Sequence, residues 1–453
     1  MNDSRELFLN THPGKLFFRV AIPGSIAMVA SALYQLIDGV LVGRALGEIS
    51  FAALNLAMPF VIINFALSDL IGVGSAVPIS IALGKNDDED ANNIFTCSIL
   101  MIMTTGLLMG LFLFFAAPLL LSVLGADGEL LRQSVLYIRS YAVLSPIITL
   151  PFALDNYLKI SGKVKLSMVM NIVSCLLSVI LEIIFLFLLN LGIVGAGLAC
   201  SLSFAVVTIF GLVYFKSGKL QLKYRRPRFS FRMAKTIISA GMPIFLSNMA
   251  GRITSIAMNA ILLHFGGSTA VSVYGVLMYT DGLVQPLIYG LCDSLQPAVG
   301  CNYGALRYDR VKSIEKYCFS TSAIVSVISA FLIFIFPMEI AELFMDGEAG
   351  NYSEMAFIAL RIFSMSLLFR WFSFAAQSFT VAIEKPKAAS ILSVSTALVF
   401  PMLLILILYP LKLTGVWLNI PLTHLFASVL SAIILAKLSR QLKESPKTLA
   451  EGK

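Results

Sequence analysis

The chain has 453 residues, of which 58% are hydrophobic and 13% charged, with a mean hydropathy of +0.89. That composition excludes a string of soluble domains and makes lipid the solvent for most of the chain. A net charge of +8 would suit a nucleic-acid partner, but its distribution follows membrane topology and excludes that reading.

Met1 to Lys15 is polar, and the apolar stretch after it is too long for a signal core, so no cleavable leader is expected. Hydropathy then marks spans near residues 16–42, 51–80, 92–122, 134–158, 166–190 and 193–215. After a basic connector come 236–262, 270–298, 317–338, 355–381, 388–410 and 415–436. Each approaches or exceeds the ~20 apolar residues that cross the hydrocarbon as a helix. The fold class expected is all-α integral membrane, twelve transmembrane helices in two pseudo-symmetric six-helix lobes.

The two sets of six read as one pattern repeated at an offset of about 220 residues. Pro23-Gly24 answers Gly241-Met242-Pro243, Leu83-Gly84-Lys85 answers Tyr303-Gly304-Ala305, and Tyr137-Ile138-Arg139 answers Ala359-Leu360-Arg361. Gly195 answers Gly415, and Gly162-Lys163-Val164-Lys165 answers Glu384-Lys385-Pro386-Lys387 with a short slip. An even number of spans per repeat makes the halves parallel, a construction that suits a carrier. The expected division is an N-terminal lobe over 1–215, a connector over 216–235, a C-terminal lobe over 236–438 and a tail over 439–453.

Of the 33 Lys and Arg, 25 fall on the side holding both termini and three (Arg44, Arg132, Lys412) on the other. Five lie within spans: Arg19, Arg139, Arg252, Arg361 and Arg370. By the positive-inside bias both termini are cytoplasmic. The acidic run Asp87-Asp88-Glu89-Asp90 lies on that side too, but carboxylates weigh little in the rule. The basic surplus is therefore a topology signal and a contact for anionic membrane lipid. Cys97, Cys175, Cys200, Cys292, Cys301 and Cys318 show no paired or metal-like spacing and read as small packing residues.

Ionisable groups inside a bilayer are costly and must face a cavity or a partner. Six acids fall within spans: Asp38, Asp69, Asp155, Glu182, Asp281 and Asp293. In the first span Ser31, Tyr34 and Asp38 share a helical face, and in the fifth Asn171, Ser174, Ser178 and Glu182 form a polar stripe. Both helices start on the same side, so Asp38 and Glu182 reach similar depth and can meet in one pocket. A carboxyl pair where water is scarce can load and release a proton, which is what a proton-coupled carrier needs. In the second half Asn248, Arg252, Ser255 and Asn259 line one face of the seventh span. Asp281, Gln285, Tyr289, Asp293 and Gln296 line the eighth, and Arg370, Ser373 and Gln377 mark the tenth. Depth matching pairs Arg252 with Asp281. Against these stand structural readings: Ser, Asn and Gln as interhelical glue, Arg139 and Arg361 as snorkelling side chains, His264 and His424 as core residues.

The run from Tyr34 through Asp38 to Gly43-Arg44 resembles the first-span motif of the MATE (multidrug and toxic compound extrusion) transporters. So do Gln296-Pro297 through Gly300 to Asn302-Tyr303-Gly304-Ala305, Asn156 through Gly162, and Gly192 through Ala199. The likeness covers essentially the whole chain and is greatest to the bacterial multidrug exporters of that family. It implies two six-helix lobes, alternating access, and export of drug-like, often cationic compounds against a proton or sodium gradient across the bacterial cytoplasmic membrane.

By the same resemblance Asp38, with Tyr34, binds the coupling cation and Pro23 marks a bend in the first helix. Glu182 stands where the family has a fifth-span carboxylate, Ser178 replaces an Asn, Cys200 replaces a Thr, and Asn156 matches a fourth-span Asn. Losing an amide and a hydroxyl oxygen impoverishes a sodium cage, so a proton is favoured as the coupling ion. No cofactor is expected beyond that ion, and the protein is expected to act as a monomer. Asp281, Asp293, Arg252, Gln285 and Asn259 are candidates to touch substrate. A flippase for lipid-linked sugars would need a basic cavity for the pyrophosphate, whereas here acids outnumber bases within the spans. A membrane enzyme or receptor is the remaining alternative. Three scattered histidines supply no catalytic set, and a receptor has no use for two parallel halves.

Overall fold

Long apolar runs separated by short polar turns leave the backbone no hydrogen-bond partner but itself, and helices result. A computed structural model describes residues 4–342 and 349–450, and every regular element among them is helical. The first two spans, Pro13–Gly39 and Ile49–Gly84, are separated by a turn at Gly47, whose φ of +75° is open to glycine at no steric cost. The seventh and eighth lie in Phe231–Asp293 and break at Gly267, φ +62°. These two glycines stand one repeat apart, so the duplication extends to backbone geometry.

The third span, Asp88–Val123, is capped by Asp87, whose carboxylate accepts the Asp90 N–H at 3.0 Å. The fourth is not the single rod expected over 134–158. Gly128–Ala142 and Ser145–Ile160 meet at 65°. Pro146 and Pro151 lack the N–H groups that would carry the helix through. The fifth, Val164–Leu188, ends in a π-helical turn at Ile184–Leu188, which starts two residues after Glu182; the sixth is Gly192–Lys216. In the second half follow Tyr308–Ile335 and Glu354–Ala382, then an eleventh span that passes through its own π turn at Ser395–Val399. The last helix runs from Lys412 to Ala450. It therefore passes through most of the expected tail, whose final residues 451–453 and the side chains from 439 onward lie outside the described residues.

The chain divides into two units. One comprises Met1–Thr11 and Ile26–Gly241, the other His12–Ser25 and Met242–Lys453. These borders differ from the lobes drawn at 215 and 236: the connector belongs to the first unit and residues 12–25 to the second. Packing explains both. Leu220 and Leu222 of the connector are buried in a first-unit core with Phe95, Tyr157, Phe215 and Ile237. Full burial of one such leucine is worth about 1.5–3 kcal/mol. The backbone of Gly241 lies so close to Leu70 that an added Cβ would sit 1.8 Å from its carbonyl oxygen. In the second unit Phe17 stacks on Tyr317 at 6.2 Å and Ser25 Oγ donates to the Leu287 carbonyl at 3.2 Å.

Candidate functional site

In the first unit the fold brings Tyr34, Asp38, Glu182 and Cys200 together. Tyr34 Oη donates to Asp38 Oδ1 at 3.3 Å, as expected for residues one helical turn apart. Asp38 and Glu182 lie within hydrogen-bonding reach of each other, as do Tyr34 and Cys200. Glu182 is 1% exposed, and no N–H or O–H group of the described residues reaches either of its carboxyl oxygens. The only group facing it in that role is another carboxyl, so a hydrogen bond between the two requires one shared proton. Two full charges ~4 Å apart at an effective dielectric of ~20 would repel by about 4 kcal/mol, which favours one proton or one small cation between them.

Ser178 does not reach this pair in a hydrogen bond; its hydroxyl bonds the Ser203 hydroxyl, and Ser203 in turn donates to the Cys200 carbonyl at 2.8 Å. The polar stripe of the fifth span thus has two ends with different partners. At the other end Asn171 Nδ2 donates to Asp155 Oδ1 at 2.7 Å, Ser167 donates to the same carboxylate, and Lys159 Nζ lies 2.7 Å from Asp155 Oδ2. Asp155 is a structural ion pair. Asn156, matched to the coupling set by resemblance, donates to its own helix at the Phe152 carbonyl, 3.1 Å away, and is not among the partners of the acid pair. Half-buried Asp69 has no hydrogen bond or ion pair among the described residues.

Pro23 is buried in an unbroken helix, two residues before the point where the first span passes from one unit to the other. Its missing N–H leaves one carbonyl of the preceding turn without its usual donor, which makes a bend there cheap.

The second unit corrects one pairing. Asp281 bonds Arg370, not Arg252, and the pair is 13% and 12% exposed respectively. Arg252 is exposed, and Asn259 donates to its own helix at the Ser255 carbonyl, 3.0 Å away. Gln285 donates to the Tyr289 hydroxyl, and the Tyr289 ring stacks on Phe374 with centroids 3.8 Å apart. Asp293 Oδ1 accepts from Gln296 Nε2 and Ser378 Oγ, both at 3.0 Å. His424 lies near Arg370, with no hydrogen-bond partner at Nδ1 among the described residues. The cysteines also hold a contact that spacing did not reveal: buried Cys318 Sγ donates to Cys292 Sγ at 3.6 Å, with no disulfide between them. Arg139 and Arg361 lie over Phe114 and Phe357 at 5.2 and 4.1 Å, which fits structural roles.

Three residues near the acid pair escaped the sequence reading. Tyr137 and Tyr141, four apart on the fourth span, lie within electrostatic range of Cys200, and Tyr137 also of Asp38. Asn64, fully buried, donates to Ser145 Oγ at 2.5 Å and to Tyr141 Oη at 3.3 Å, tying the second span to the bend. The i, i+4 tyrosine spacing was a usable signal. Among the described residues no group of three or more His, Cys, Asp or Glu is placed to hold a metal ion. Asp38, Glu182 and Tyr34 each bring side-chain oxygens to this cluster.

The model of the MatE family matches residues 23–184 and 243–407, one match in each repeat. The multidrug export protein MepA of Staphylococcus aureus (strain N315) is 25% identical over 100% of both chains, and that of Staphylococcus saprophyticus 24% over 95% of both. A crystal structure of MATE in complex with MaL6 superposes with a TM-score of 0.93, covering 98% of this chain and 100% of the other at 24% identity. An outward-facing multidrug resistance MATE family transporter of the MOP superfamily gives 0.89 over 96% and 98% at 25% identity. The fold is thus the twelve-helix bilobal MATE fold of a multi-pass membrane protein.

Proposed function

Because the chain belongs to the MatE family, we propose that it exports drug-like, cationic or amphipathic compounds across the bacterial cytoplasmic membrane by antiport with protons. Both termini face the cytoplasm in this reading, which rests on the distribution of Lys and Arg. One observation carries the mechanism: half-buried Asp38 faces fully buried Glu182, at which no N–H or O–H donor is found among the described residues. Such a pair exists in two forms, with and without its proton, that differ by a full charge. A carrier whose outward-open and inward-open states favour different forms must move protons when it alternates. If the protonated form also holds solute more weakly, linkage makes the downhill proton expel the solute. Sodium favours a cage of several oxygens, and at Cys200 this chain offers a thiol instead, which favours the proton.

The flippase alternative needs free cationic groups in the cavity. Of the five basic residues within spans, Arg370 is committed to Asp281 and Arg139 and Arg361 lie over aromatic rings, which leaves Arg19 and Arg252, both exposed. As for catalysis, relatives in this family are named as exporters, and no enzymatic role is proposed.

The test is accumulation of ethidium in proteoliposomes driven by a pH gradient alone and by a sodium gradient alone. A one-unit pH gradient stores about 1.36 kcal/mol per proton, enough for about tenfold accumulation in a one-for-one exchange. Asp38→Asn and Glu182→Gln should each abolish it, and the double variant should be no worse than either, because the pair acts as one unit. Undiminished accumulation by the double variant refutes the mechanism.

A further inference from the structure

The connector between the sixth and seventh spans is held in place chiefly through its backbone, with one ion pair, Arg228 to Glu89, beside it. Lys223 N–H donates to Asn92 Oδ1 at 2.5 Å, Arg225 N–H to Thr96 Oγ1 at 3.1 Å and Arg228 N–H to Asn93 Oδ1 at 2.8 Å. Asn93 Nδ2 returns a bond to the Arg228 carbonyl at 3.1 Å. Leu220 and Leu222 are buried beneath, and the Tyr224 ring leans on Phe95 at 5.4 Å. These three acceptor residues sit together on the opening turns of the third span, so one helix face grips the backbone and leaves the side chains from Lys223 to Arg232 outside.

What is left outside is cationic and aromatic. Residues 223 to 232 are all exposed, and the stretch from Lys216 to Lys235 holds eight Lys or Arg and no acid. Phe229 and Phe231 are 59% and 86% exposed. The acidic run Asp87 to Asp90 lines a cavity with Arg225, Arg226 and Arg228, and its Glu89 already holds Arg228 at 2.8 Å. Arg225 and Arg226 make no ion pair among the described residues.

We propose that this strap is a docking surface for the headgroups of anionic phospholipids, with Arg225 and Arg226 taking the phosphate and Phe229 and Phe231 seated at headgroup level. The connector leaves one span at Lys216 and enters the next at Phe231, so it lies where headgroups are. Guanidinium groups match phosphate with two parallel hydrogen bonds. Aromatic rings favour the membrane–water boundary, and the anionic cytoplasmic leaflet attracts juxtamembrane basic segments. Because the backbone is already fixed, little ordering cost remains to be met on binding. The proposal rests on the topology given under Proposed function, in that the strap must lie on the cytoplasmic surface.

The test uses the full-length protein, delipidated in a non-ionic detergent, with lipid binding read by native mass spectrometry. Dioleoylphosphatidylglycerol should bind more tightly than dioleoylphosphatidylcholine. Arg225→Gln with Arg226→Gln should lose about 25-fold of that preference, roughly fivefold per charge. Phe231→Ser should weaken both lipids alike, and Arg132→Gln with Lys412→Gln, which removes as many charges elsewhere, should change neither. Equal binding of the two lipids by the unaltered protein overturns the proposal, as does a double variant that keeps its preference. Displacement of the lipid by equimolar glycerol phosphate would assign the surface to soluble anions instead and also overturn it. Should the double variant fail to fold, the unaltered protein still decides the matter, since its preference must fall as salt rises from about 0.1 to 0.5 M. No transport is read in this experiment, so its failure leaves the efflux reading standing, and a transport-dead protein that prefers the anionic lipid has the opposite meaning.

Discussion

Arg370→Gln is the sharpest test of the electrostatics in the second unit. It strips the counter-charge from Asp281, whose side chain is 13% exposed. Breaking a buried pair by removing one partner costs about 3–5 kcal/mol, and the residual exposure of both groups sets the expectation near the lower end, about 3 kcal/mol. For a unit of roughly 200 residues each kcal/mol moves Tm by about 2–4 °C, so the variant should melt about 6–12 °C lower. Asp281→Asn should cost a similar amount by stranding the guanidinium. The double variant removes both charges and should recover to within about 3 °C of the unaltered protein, because neutral Gln and Asn leave no charge to desolvate. Cys97, Cys292 and Cys318 are buried cysteines outside any disulfide, so a thiol-reactive fluorophore in detergent follows unfolding directly. A single variant that melts within ~1 °C of the parent would show that Asp281 is not shut away from water. Additive losses in the double variant would show that the two residues do not interact.

Gly241→Ala places a methyl group 1.8 Å from the Leu70 carbonyl oxygen, which forces backbone apart and should lower Tm by at least ~4 °C. Gly251→Ala, with nothing within 4 Å of the added carbon, should be neutral or slightly stabilising. Equal melting of the two would refute the close approach. Pro23→Ala restores an N–H to the first helix and should stiffen it, slowing ethidium turnover in proteoliposomes while leaving ethidium binding in detergent within about twofold. Unchanged turnover would remove Pro23 from the moving parts.

The apolar code for the twelve spans was legible because lipid demands about 20 apolar residues per crossing, and the repeat was legible down to the turns at Gly47 and Gly267. Tyr34 and Asp38 could be placed on one face because helical spacing is local. Partner choice between helices was not local. Depth along a helix cannot say which of two arginines faces Asp281, and rotation about the helix axes placed Arg370 there while turning Arg252 outward. Asn156 failed to join the acid pair for the same reason: its neighbour Asp155 packs toward Asn171, and its own amide turns back to Phe152. The 65° bend in the fourth span had its signal in Pro146 and Pro151, which hydropathy averages away.

Each half of the duplicated sequence lends a short stretch of helix to the unit built mostly by the other: residues 12–25 go one way, and residues up to Gly241 go the other. Neither half of the sequence therefore carries all the residues of one unit. Severing the chain inside the connector and producing the pieces separately should therefore yield two orphans, each lacking a wall, that become sound only when made together.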